Sequence, residues 1–237
     1  MVTPDTLTAR MAGPAIRSWH IAADLATEHE VTLLSTQACT MAAEAFAALA
    51  VTSPAQVGRL AAAAEVVIVQ GDVLDRYPVL GRPGLPVVVD LYDPFLFEQL
   101  EQTLGLSRAN RLAVLENTRR ILVDSLLRGD IFLCASEKQR DLWIGHLAAV
   151  GRVNPMSYDG DPTLRSLVRV VPFGIPDQPA AQVRHAIKGT LPGVAADDLV
   201  VLWGGGVYDW LDPITVVAAV GTLRQRIPNI RLVFLGM

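Results

Sequence analysis

Residues 199–206, Leu-Val-Val-Leu-Trp-Gly-Gly-Gly, read as a buried strand that runs into a glycine turn. A helix-like stretch follows, then a second apolar strand from Ile230 to Leu235, and the sequence given closes at Met237. Strand, glycine turn, helix and strand in that order form the opening of a nucleotide-binding α/β domain. The expectation from this stretch is a domain of which only the first part is present. Function must then be read from the fuller half that precedes it.

Working outward, the composition fits a parallel sheet covered on both faces. The 237 residues are 51% hydrophobic and 19% charged, with a mean hydropathy of +0.35. That is too apolar for a disordered chain, and alanine and valine carry much of it, as buried parallel strands require. The apolar run from Leu60 to Val69 is broken by Glu65 and falls short of the roughly 20 residues a membrane helix needs. No basic segment followed by an apolar one opens the chain, so no signal peptide is expected. Cys39 and Cys134 are too few and too far apart for a disulfide framework or a metal site. A reducing, cytoplasmic setting follows as the default. The net charge of −4 argues against a nucleic-acid-binding face.

Before the linker, apolar runs alternate with helical patterns. Met1 to Pro4 reads as the tail of a strand and residues 14–28 as a helix, with Ile16, Trp19, Ile21, Ala22, Leu25 and Ala26 as its apolar stripe. Glu30 to Ser35 is a strand, and the alanine-rich stretch from Met41 to Leu49 reads as a helix, as does Leu60 to Ala64. Glu65 to Gln70, Pro86 to Tyr92, Asp130 to Ala135 and Val168 to Phe173 are further strands. Between them lie a long helix over about 107–127, with Gly129 at the position of its C-cap, and a helix opened by Ser136. Short connections between alternating strands and helices imply a right-handed parallel sheet. Proline and glycine then crowd the stretch after Phe173, which sets the domain division: 1–175, a linker at 176–196, and 197–237.

Three loops carry candidate chemistry. Arg10-Met11-Ala12-Gly13-Pro14-Ala15-Ile16-Arg17 joins the first strand to its helix. The free amides of a helix start suit a phosphate, and Gly13, Pro14 and Arg17 would shape and charge that site. A plain glycine turn with solvated arginines fits the spacing equally well. Asp90-Leu91-Tyr92-Asp93-Pro94 ends a strand, where ligands of open α/β sheets gather. Asp90 and Tyr92 there could bind sugar hydroxyls or serve as a base, whereas Asp93 reads as a helix cap. The third loop, Gly204-Gly205-Gly206-Val207-Tyr208-Asp209-Trp210, lets a backbone approach a ligand closely and offers Tyr208 and Trp210 as stacking faces. Packing of those two rings is the alternative. His20, His29, His146 and His185 are isolated and show no metal-ligand spacing, and no dinucleotide fingerprint G-x-G-x-x-G is present.

In their order, MAGPAIR, DLYDPF, FLCASEKQRDLW, VVPFGIP and WGGGVYDWLDP resemble the group 1 (family 4-like) glycosyltransferases of the GT-B fold. The resemblance implies a GT-B-like Rossmann parallel sheet flanked by helices, an acceptor-side domain, followed by an incomplete second Rossmann-like domain for a nucleotide-sugar. It implies transfer of a sugar from that co-substrate to a carbohydrate or glycolipid acceptor, retaining in stereochemistry and without a metal or other cofactor. By the same match Gly13 and its neighbours face the diphosphate or the acceptor, and Gly204, Gly205, Gly206 and Asp209 the donor. A glycolipid acceptor would place the protein at the inner face of the membrane as a peripheral enzyme.

The family's pattern departs here at three places. Tyr92 and Asp93 stand where relatives carry a histidine, and Tyr208, Asp209, Trp210 and Asp212 where they carry an arginine and a lysine. The acidic E-x7-E donor motif would lie after residue 237. The expectation is therefore that this chain alone is inactive and needs the rest of the donor domain or a partner chain. Two strands and one helix bury little surface, so 197–237 is expected to dock, fray or pair. The rival readings are a non-catalytic binding or assembly subunit and another nucleotide-binding Rossmann protein.

Overall fold

Short, nearly continuous apolar runs become parallel strands in the computed structural model, which describes residues 1–175 and 178–235. The opening residues of the expected linker, Pro176 and Asp177, and the terminal Gly236 and Met237 lie outside the described residues. Backbone contacts divide the chain into two units. The first holds Met1–Leu96 and Leu112–Gly174, and the second Phe97–Arg111 with Ile175–Met237.

Seven parallel strands build the first unit: β1 (Val2–Thr3), β2 (Thr32–Ser35), β3 (Ala47–Ala50), β4 (Val67–Gln70), β5 (Val87–Asp90), β6 (Ile131–Cys134) and β7 (Val168–Val170). Their order is β3-β2-β1-β4-β5-β6-β7. The first strand lies inside the sheet, with β2 on one side and β4 on the other. The chain thus winds outward twice from the centre, the arrangement of a Rossmann-like α/β fold. Between the strands run α1 (Gly13–Leu25), α2 (Pro54–Ala63), the single turn α3 (Val73–Arg76), α4 (Phe95–Gln102), α5 (Arg108–Arg128), α6 (Glu137–Ala149) and the single turn α7 (Pro155–Tyr158).

Two apolar clusters hold this unit together. Leu7, Ala15, Ala22, Leu33 and Phe46 form the smaller one, with Trp19 meeting Phe46 edge-on at 4.9 Å. Val57 and Ala61 of α2, Leu122 and Leu126 of α5, and Trp143 and Leu147 of α6 join the strand valines in the larger. Among the described residues no helix is long and apolar enough to cross a membrane.

The stretch 41–49 corrects the expectation of a helix. Its end is β3, which pairs in register with β2 from Thr32–Ala47 to Ser35–Ala50. Alanine favours a helix in isolation, but the free edge of β2 offers a ladder and that tertiary pairing prevails. The helix begins later. Ser53 accepts a hydrogen bond from the Gln56 amide and Pro54 takes the first turn, a start signal that the alanine run obscured.

Gly129 follows α5 as expected, but it is not among the residues with positive φ, so it is no left-handed cap. Its role is close approach. A Cβ there would stand 2.7 Å from Phe132 Cε1 and 2.7 Å from Val89 Cγ2, both on core strands. Gly129→Ala is expected to cost about 1–3 kcal/mol through overpacking, read as a lower urea midpoint with an unchanged slope. An unchanged or raised midpoint contradicts that assignment.

The second unit contains a two-stranded parallel sheet of β8 (Leu199–Trp203) and β9 (Ile230–Phe234), joined by α8 (Pro213–Leu223). Asp198 anchors its start, buried to 2% exposure and paired with Arg231 at 3.1 Å. The strand expected to be buried is not: Leu199 is 48% exposed and Leu202 49% exposed. Among the described residues β9 is its one strand partner, and α8 packs against β9. α8 leaves Ile214 and Val217 exposed as well.

Candidate functional site

The strand order sets where a ligand can reach the first unit. The strands are all parallel, but the order in which they are added reverses between β1 and β4, and outside the C-terminal ends of those two strands the loops part. The β1–α1 loop lies there. Ala12 precedes α1 in an extended conformation and gives it no side-chain cap, Pro14 fills the first turn without an amide to satisfy, and the first intrahelical bond runs from the Ile16 amide to Ala12. The amides of Gly13 and Ala15 therefore precede the helical ladder, at the positive end of the helix dipole. Gly13 is exposed, and a Cβ built on it meets nothing within 4 Å. Arg10 is exposed at the same loop.

Arg17 does not join it there. One turn into α1 it points inward and is 3% exposed. Nε and Nη2 donate to the two oxygens of Asp90 at 2.8 and 2.9 Å, a bidentate pair, while Nη1 donates to the carbonyl of Val171 at 2.6 Å. The Phe173 ring lies 5.1 Å from the guanidinium carbon. Asp90 also accepts from Gln70 Nε2 at 2.8 Å, and Gln70 in turn accepts from the Ser18 hydroxyl at 2.6 Å. Gln70 and Asp90 are register partners at the ends of β4 and β5.

Every member of this chain of bonds is buried: Ser18, Gln70 and Asp90 stand at 0%, 1% and 2% exposure. In the low dielectric of the interior such a network is stable only when its donors and acceptors are matched, as these are. It ties α1, β4, β5 and the segment after β7 into one rigid edge. Asp90 and Arg17 are thus brought together, with each other as partners. Arg17 follows the Gly13 turn by one helical turn and anchors α1 to β5 and to the segment after β7.

Tyr92 sits two residues past the end of β5. Its ring meets Phe173 edge-on at 6.3 Å, and its carbonyl accepts from Gln139 Nε2 at 2.8 Å. The neighbouring Leu91 carbonyl accepts from the buried indole of Trp143 at 2.8 Å. Ser136 caps α6 through the Gln139 amide, as its place in the sequence predicts. The strand end that presents Tyr92 is therefore held from α6, where sequence alone shows only a helix with an apolar face.

In the second unit the glycine turn opens directly from β8. Gly204 has open space around it, whereas a Cβ on Gly206 would overlap the Tyr208 ring. Trp203 Nε1 donates to the Gly206 carbonyl at 3.1 Å and closes the turn. Tyr208 and Trp210 stack on one another, 4.6 Å apart and 2° from parallel, with Asp209 exposed between them in sequence. The sequence offers these rings as free stacking faces; the structure gives each the other as a neighbour. Among the described residues no group of three or more His, Cys, Asp or Glu could hold a metal ion. No family model matches the chain, and no curated protein matches it.

Proposed function

We propose that this chain is part of a GT-B glycosyltransferase that moves a sugar from a nucleotide-sugar to a carbohydrate or glycolipid acceptor. The observation that carries the reading is the uncapped start of α1 at the switch point between β1 and β4. The exposed Gly13, whose amide precedes the helical ladder, and the positive end of the helix dipole meet there. A departing diphosphate needs that kind of fixed positive potential.

The five motifs quoted above support the same reading. MAGPAIR opens α1, DLYDPF begins at the end of β5, FLCASEKQRDLW runs from β6 into α6, VVPFGIP begins at the end of β7, and WGGGVYDWLDP runs from the end of β8 to the start of α8. Gly13 and Pro14 then carry the phosphate contact. Tyr92 faces the acceptor, with Asp90 and Arg17 as positioning residues behind them. In the second unit, taken by itself, Gly204, Gly205, Gly206 and Asp209 contact a sugar. Such a transferase works beside the membrane on its cytoplasmic side when the acceptor is a glycolipid.

Calorimetric titration separates this from its rivals. UDP or GDP should bind and NAD should not. A purely structural subunit binds neither, and a dinucleotide-dependent Rossmann protein binds NAD.

A further inference from the structure

We infer that the loop from Trp203 to Asp212 is a platform for a neutral sugar ring, built from the stacked Tyr208 and Trp210 with the Asp209 carboxylate. The inference deepens the transferase reading of this loop by naming the chemistry it takes.

The loop is constructed to hold its aromatics in place. Gly206 lets the Tyr208 ring fold back against the turn, because any side chain there would overlap it. The Trp203 indole fixes the Gly206 carbonyl, and the parallel stack fixes Trp210 on Tyr208. Tyr208 keeps 41% of its surface exposed. The Asp209 carboxylate is exposed and accepts no hydrogen bond among the described residues. A flat apolar face beside a free carboxylate matches a sugar: axial hydrogens lie on the ring, and hydroxyls donate to the oxygens.

The same loop is hostile to phosphate. No Lys, Arg or His occurs anywhere from residue 189 to 223. The start of α8, where an anion would otherwise sit, is taken by the protein itself: Asp212 accepts from the Thr215 amide at 3.1 Å. Hydrogen bonding from the Thr215 hydroxyl, and then from its amide, holds the Asp212 carboxyl below its ordinary range. With Asp209 it places two negative charges where a diphosphate would need positive ones. The arginine and lysine positions of related enzymes thus read here as a change of ligand, from phosphate to uncharged ring.

The test uses the full chain with its tryptophan indoles labelled with ¹⁵N, titrated separately with cellotriose, maltotriose, mannotriose, N-acetylchitotriose, UDP and GDP. At least one trisaccharide should move the Trp210 signal saturably while Trp19 and Trp143 stay in place. Tyr208→Ala and Asp209→Asn should each weaken that response about tenfold. Asp209→Asn leaves the stack intact, so it reports on recognition even where Tyr208→Ala disturbs the loop. If no trisaccharide moves Trp210, if Asp209→Asn leaves the response unchanged, or if UDP or GDP moves Trp210, the assignment is overturned. Nucleotide binding by the Gly13 turn is read by calorimetry, so a sugar response without it sinks the transferase reading and leaves this one standing.

Discussion

Replacing Arg17 with methionine should lower the stability of the first unit by about 3–5 kcal/mol. The side chain is not on a helix surface; it neutralises Asp90 in a place where both are buried to within a few per cent. Removing it strands a carboxylate that keeps only the Gln70 amide as a partner. It also frees the Val171 carbonyl and the Phe173 ring, which hold the segment after β7. Adding Asp90→Asn should restore at least about 1 kcal/mol, since an amide needs no counter-charge. Urea unfolding followed by far-ultraviolet circular dichroism reads both. A loss below about 1 kcal/mol in the single variant would mean that water reaches Asp90, in conflict with its burial.

Trp143→Ala should be the second severe change, at about 3–5 kcal/mol. The indole is 2% exposed in the larger apolar cluster, and its ring also meets His146 at 5.4 Å. Two losses can be separated. Trp143→Phe keeps most of the packing but leaves the Leu91 carbonyl without its donor, which alone should cost about 1–3 kcal/mol. Because Leu91 adjoins Tyr92, the phenylalanine variant should also shift the backbone amides of 91–93 in an NMR spectrum. Unshifted amides there would mean that α6 does not hold this strand end.

Much of the fold is legible in the sequence for a simple reason. Strands buried on both faces are continuous apolar runs, and VVIVQ, VVVD and FLCA can hardly be read otherwise. The alanine stretch is not legible, because an edge strand of small residues lacks that signature and its propensity points the other way. Arg17 is hidden for a different reason. A lone arginine on a helix is normally solvated, and only the register pairing of Gln70 with Asp90 shows that a charge is waiting for it. Two polar residues ending adjacent apolar strands were the available signal. Gly129 has the right position for a cap but answers to Phe132 and Val89, contacts that no local pattern carries. At the site, Gly13 and the turn of 204–206 stand out because glycine punctuates the chain. What those turns bind is not spelled by spacing; it comes from which amides are free and which charges surround them.

The most direct test of the transferase account is calorimetric titration of the chain and of its Gly13→Glu variant with UDP and GDP, and with NAD as control. Gly13 is exposed with open space for a side chain, so the variant should fold as the parent does. Its carboxylate would sit at the start of α1, where the account places the diphosphate. The account predicts saturable binding of UDP or GDP by the parent, at least about tenfold weaker binding by the variant, and no binding of NAD by either. Absent nucleoside diphosphate binding by the parent, undiminished binding by the variant, or binding of NAD would contradict it.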